Sequence, residues 1–171
     1  MVVLPLGSTY KYWDKGAIAA DWAAPAFNDG AWAQGPAPLG YGDPHIATTV
    51  SFGPNPNAKF TTTWFRTTFL VKNAASVFAL TLDLMRDDGA RVFLNGVEAA
   101  RSNLPGGAIN TNTLASSIVT DAEETTFFTF SLDPALLIDG ANVFAVEVHQ
   151  GVSDSSDLGI EAQLTLEQLA P

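Results

Sequence analysis

Two alternating runs, Leu80 to Leu84 and Ala90 to Leu94, restrict this chain more than any other stretch. Leu80, Leu82 and Leu84 alternate with Thr81, Asp83 and Met85, and Ala90, Val92 and Leu94 alternate with Arg91, Phe93 and Asn95. A period of two puts each set on its own face of a pleated strand, so one face of both runs is expected to meet a core. Asp87-Asp88-Gly89 lies between them as a polar turn. Asn95-Gly96 tolerates the positive φ angles of a type I′ turn, so Val97 and Glu98 should fold back beside Phe93. The stretch predicts strand, turn, strand, hairpin.

Other runs carry the same period. In Thr61 to Val71, Phe65, Thr67, Phe69 and Val71 form the more apolar side, which leaves Trp64 and Arg66 pointing away from the core. Thr125 to Leu132 reads as a further strand, Ala141 to Gln150 as the strongest and Leu158 to Leu166 as the last. Between them, Asp133 is placed to cap a short helical turn that opens on Pro134 and ends at Gly140. The opening, residues 1–60, is rich in loops, with Trp13, Trp22 and Trp32 set among Gly, Pro, Ala and Asp. Trp22, Phe27 and Trp32 are expected to pack the edge of the core; a sugar-stacking platform is the lesser alternative. Strand runs at this spacing, with almost no helix, predict an all-β antiparallel β-sandwich over one domain, 1–171.

Charge narrows the partners. Eighteen acidic residues against eight basic ones give a formal charge of −10, which repels nucleic acid and anionic lipid. No apolar run approaches the roughly 20 residues of a membrane span. Cysteine is absent, so a metal would be held by oxygen or by the two histidines, and calcium suits that inventory. His45 stands apart in a Gly-Pro loop, which argues against zinc. Met1-Val2-Val3-Leu4-Pro5 lacks the basic start of a signal peptide, and an acidic, lysine-poor β chain of this kind is expected to be a module of a longer exported protein.

Taken together, Phe27-Asn28-Asp29-Gly30-Ala31-Trp32, Pro38-Leu39-Gly40-Tyr41-Gly42, Trp64-Phe65-Arg66, Asp87-Asp88-Gly89 through Leu94-Asn95-Gly96, Gly140-Ala141-Asn142-Val143, Val148-His149-Gln150 and Ser155-Ser156-Asp157-Leu158 resemble the galactose-binding-like β-sandwich, or jelly roll, of accessory domains in bacterial exported proteins. The resemblance covers most of the chain and implies a non-catalytic carbohydrate-binding module, tethered to a catalytic domain and located outside the cell. It also implies a structural calcium between the early acidic turn and the last strand, with Asp29 and Glu161 as ligands and Asn28 as a third. A solvated Asn-Asp turn stands beside that reading at even weight. Asp87-Asp88-Gly89 is locally similar to the paired-aspartate calcium motif of the β-sandwich lectins named after the anthrax protective antigen, although aspartates that shape a turn and pair with Arg86 or Arg91 are expected first.

The expected glycan face combines Arg66, Asp88, Arg91, His149, Gln150 and Asp157 with an aromatic such as Trp13 or Tyr41. Ser153 to Asp157, a hydroxyl and carboxylate loop, suits a polyol, calcium or plain solvent. Asp83, Glu147 and His149 are the groups that catalysis would need, but no nucleophile or oxyanion motif accompanies them. Glu147 is instead expected to pair with an arginine, Arg66 ahead of Arg91. A structural or protein-interaction spacer is the alternative function, with a large exposed apolar patch as its sign.

Overall fold

The computed structural model describes residues 1–169 and contains twelve strands: β1 (Val2–Leu4), β2 (Thr9–Trp13), β3 (Ala33–Pro36), β4 (Leu39–Tyr41), β5 (Thr48–Thr49), β6 (Thr62–Val71), β7 (Val77–Asp87), β8 (Gly89–Leu94), β9 (Val97–Ser102), β10 (Phe127–Leu132), β11 (Gly140–His149) and β12 (Leu158–Gln168). They form two sheets. One has the order β10-β7-β12-β4-β5, with β1 also paired to β12, and the other the order β3-β2-β6-β11-β8-β9. Every pairing is antiparallel except that of β4 with β5. This is a β-sandwich.

The alternating residues supply its filling. Leu80, Leu82 and Leu84 from one sheet meet Phe65, Phe69, Val92, Leu94, Phe144 and Val146 from the other, all buried. Each such side chain removed from water contributes about 1.5–3 kcal/mol, which is what holds two sheets together without a disulfide. Asn95 and Gly96 take φ angles of 52° and 84°, and the hairpin they close puts Glu98 opposite Phe93 as expected. Asp133 Oδ1 accepts the Ala135 N–H at 2.9 Å and caps the turn Pro134–Leu136, which is one short 3-10 turn.

Asp87-Asp88-Gly89 departs from the expected turn. β7 and β8 do not pair with each other; β7 runs between β10 and β12 while β8 lies between β11 and β9 in the opposite sheet. The segment is a crossing from one sheet to the other. A two-residue period marks both strands but is silent about which neighbour each will take.

The second departure is on the outer face of β6. Trp64 and Arg66 do point away from the main core, yet they are 1% and 3% exposed. Residues 14–32 fold over them and build a second apolar cluster in which Trp22 and Trp32 pack with Trp64, Val143 and Ala145, as the packing expectation for the two tryptophans required. Arg66 holds this cover down. Its Nε donates to Asp29 Oδ2 at 2.9 Å, Nη1 donates to the Trp22 carbonyl, Nη2 donates to the Ala24 carbonyl at 3.2 Å, and the guanidinium lies over the Phe27 ring.

Candidate functional site

The residues expected to form one glycan face separate into four places. Arg66 lies under the cover just described, where it lines a cavity of about 220 Å³ with Lys11, Asp29 and Gln34. Trp13 lines an apolar hollow of about 360 Å³ with Ile18, Phe27 and Trp32, outside the sheet. The rest divide between a groove on the outer face of the second sheet and one end of the first.

The groove, of about 290 Å³, lies between residues 18–22 and residues 109–111 and is floored by Arg91 and Glu147. β11 supplies Glu147 and β8 supplies Arg91, which the register places directly opposite each other. Arg91 Nε lies 2.6 Å from Glu147 Oε1. Arg66, the partner favoured from the sequence, stands opposite Ala145 and turns to Asp29 instead, so the expected pair is corrected to Arg91. His149 Nε2 approaches the same carboxylate oxygen at 3.1 Å. Neither approach is aligned as a hydrogen bond; the Arg91–Glu147 contact is an attraction of opposite charges. His149 Nδ1 lies 2.7 Å from the Thr113 carbonyl and 3.1 Å from Thr62 Oγ1. Burial pulls the Glu147 carboxyl upward most strongly, but His149 and Arg91 together outweigh it and hold the group below its usual range. His149 itself is fully buried and acts from behind the groove.

Asp83 and Glu147 do not form a carboxylate pair. Asp83 lies on β7, where its Oδ1 accepts the Thr129 hydroxyl at 2.6 Å, and Glu147 lies on the outer face of the opposite sheet. The core separates them.

At the end of the first sheet, Asp88 is 1% exposed and takes two backbone donors, Val119 N–H on Oδ1 and Gly151 N–H on Oδ2, each at 2.6 Å. It fastens two loops, and neither aspartate pairs with Arg86 or Arg91 as anticipated: Arg86 turns to Ser102 and Glu123. Gln150 is buried and donates to the Tyr41 hydroxyl at 2.5 Å and to the Asp157 carbonyl at 3.2 Å. Asp157 itself converges with Asp43 and Glu124, one carboxylate oxygen from each lying within 4.8 Å of the others. Asp87, 1% exposed, sits behind them with neither oxygen partnered. Burial and then the charges of Asp88 and Asp157 push its carboxyl up to about 9. Burial, followed by Asp43 and Asp157, also raises Glu124, and burial followed by Asp157 and Asp87 raises Tyr41. Asp43 and Glu124 carry no motif that marks them in the sequence.

The ligands expected for calcium are engaged elsewhere. Asp29 accepts from Lys11 Nζ on one oxygen and from Arg66 on the other, and these two cations hold its carboxyl below the usual range against the upward pull of burial. Asn28 Oδ1 accepts the Gly30 N–H at 3.0 Å, and Glu161 Oε1 accepts the Gly7 N–H at 2.8 Å. A calcium ion at Asp29 would have to displace two resident cations.

No family pattern matches the sequence, and no curated protein matches it. Solved structures do match in fold. A glycosyl hydrolase family 2 member from Bacteroides cellulosilyticus superposes with a TM-score of 0.64 at 15% identity, over 98% of this chain and 21% of its own. A beta-glycosidase from Bacteroides vulgatus gives 0.59 at 16%, over 97% of this chain and 20% of its own. The beta-glucuronidase of Bifidobacterium dentium, solved with coumarin-3-O-glucuronide, gives 0.54 at 19%, over 87% and 20%. The chain therefore spans about a fifth of the length of these structures. At such identities the likeness is one of fold: this chain has the β-sandwich architecture found as a small portion of family 2 glycosyl hydrolase chains.

Proposed function

We propose that this chain is a non-catalytic accessory domain of a larger, exported glycan-processing protein, and that it binds carbohydrate in the groove floored by Arg91 and Glu147. The observation that carries the reading is that floor. A sugar hydroxyl donates and accepts at once, so it can accept from guanidinium N–H groups while donating to the adjoining carboxylate. Asn110 and Thr111 border the same groove and add an amide and a hydroxyl, while Trp22 and Ile18 give it an apolar wall. A few convergent polar groups in an apolar concavity are the usual composition of a small-ligand site. The fold likeness to a portion of glycosidase chains supports the same reading by analogy.

Affinity gel electrophoresis against a panel of soluble polysaccharides, with calcium present, tests it. At least one neutral or uronic polysaccharide should retard the chain. Ala20→Trp, at an exposed groove position, should abolish retardation without changing the melting temperature. Lack of retardation across the panel would remove the proposal.

A second reading, a spacer that docks on its neighbour, has its own observation in the apolar hollow of Trp13, Ile18, Phe27 and Trp32. An apolar side chain from an adjoining domain would fill it. Protease cleavage within residues 14–32 should then be slower in the parent protein than in this chain alone, and equal rates would count against docking.

A further inference from the structure

We propose that Asp43, Glu124 and Asp157, with buried Asp87 behind them, form a site for a divalent, oxygen-seeking cation of the calcium class. The placement follows from the sheet. β10, β7, β12 and β4 are successive neighbours, and antiparallel pairing brings the start of β10, the end of β7, the start of β12 and the end of β4 to one edge. Each of these four strand ends carries one carboxylate of the set: Glu124 just before β10, Asp87 at the last position of β7, Asp157 just before β12, and Asp43 shortly after β4.

The spacing fits one ion. Two oxygens that share a calcium ion at about 2.4 Å can lie no more than about 4.8 Å apart. Asp43, Glu124 and Asp157 each present an oxygen within 4.8 Å of the other two. Among the described residues, no lysine, arginine or histidine forms an ion pair with any of the four carboxylates. That contrasts with Asp29 and Glu147, whose charges are met by cations.

Asp87 is the second, independent observation. It is 1% exposed, and both of its oxygens lack a partner. A buried carboxyl group without one is costly, and the acidic groups around this one, Asp88, Asp157 and Glu124, penalise its ionised form further. Asp43 Oδ2 is likewise buried and unpartnered. A cation among Asp43, Glu124 and Asp157 would offset the like charges that crowd Asp87. The ligand chemistry is hard: three carboxylates, with remaining positions open to water and backbone carbonyls. His45 Nε2 is also unpartnered but falls outside the convergent set, which leaves that set with oxygen alone. The ion would add a further tie between loops that Asp88 and Gln150 already fasten.

The test is thermal melting of the chelator-treated chain with calcium, magnesium or zinc added separately, and calorimetric titration with calcium chloride. Polysaccharide is absent, so the result is distinct from that of the glycan groove, on which this site does not depend. At a hundredfold excess over Kd, calcium should raise Tm by about 5–10 °C with one ion bound per chain. Asp157→Asn and Glu124→Gln should each weaken calcium binding at least tenfold, and in chelator should melt at or above the parent temperature because like charges have been thinned. If one variant fails to fold, the other carries the comparison. No shift with calcium, a shift with zinc alone, or a calcium shift undiminished in both variants would overturn the proposal.

Discussion

Arg66 Nε donates to Asp29 Oδ2 at 2.9 Å, joining the middle of β6 to a loop 37 residues earlier in the chain. The same guanidinium donates to the carbonyls of Trp22 and Ala24, so one side chain satisfies a carboxylate and two backbone acceptors beneath the aromatic cover. Arg66→Ala removes all of these donors at once. Breaking a buried pair from one side costs about 3–5 kcal/mol, and a chain of this size should melt roughly 6–20 °C lower. Tryptophan emission should shift to the red below the main transition as Trp22 and Trp32 are uncovered. A Tm within about 2 °C of the parent's would contradict this role.

Glu147 makes acid stability a directional test. Its folded carboxyl is held below the ordinary value by His149 and Arg91 in spite of burial. A depressed carboxyl contributes stability at pH values above its unfolded pKa, and that contribution is lost as pH falls through the folded one. Glu147→Gln should therefore be less stable than the parent at neutral pH, and the difference should shrink steadily as the melt is moved below about pH 4.5. A difference that stays constant down to the acid limit would show that ionisation is not its source.

Asp88 should behave as a loop fastener. Its two oxygens take the N–H groups of Val119 and Gly151 in a buried setting, and each such bond to a charged acceptor contributes about 1.5–3 kcal/mol. Asp88→Ala is expected to lower stability by about 3 kcal/mol or more, whereas Asp88→Asn retains one acceptor and should lose less. Hydrogen exchange at Val119 and Gly151 should accelerate in the alanine variant before other amides do. Unchanged exchange at both would refute the assignment.

Gly40 marks where two strands approach too closely for a side chain. A Cβ there would lie 1.8 Å from the Leu158 carbonyl oxygen of β12, against backbone that cannot rotate away. Gly40→Ala should cost about 4 kcal/mol or more, seen as loss of soluble folded protein. Gly106, whose Cβ would meet nothing within 4 Å, is the control and should change little on substitution by alanine. Recovery of a Gly40→Ala chain with a parental melt would show that β4 and β12 separate more easily than their packing implies.

Sequence alone determined the elements whose evidence is local. The period of Leu80 to Leu84 and of Ala141 to Gln150, the Asn95-Gly96 hairpin and the Asp133 cap each depend on residues a few positions apart, and each appears in the structure at its expected place, with the Ala141 strand ending at His149. Neighbour choice was beyond it, because a strand's period of two is the same whichever strand lies beside it. Tertiary structure therefore decided that β7 and β8 enter different sheets, and that Glu147 faces Arg91 while Arg66, one strand away, faces Ala145. It also decided burial on the outer face of β6, since Trp64 and Arg66 are hidden by a segment some 40 residues distant that shows no regular period of its own. The acidic end is the furthest case. Positions 43, 87, 124 and 157 share no spacing, and only antiparallel order within one sheet brings their four strand ends together.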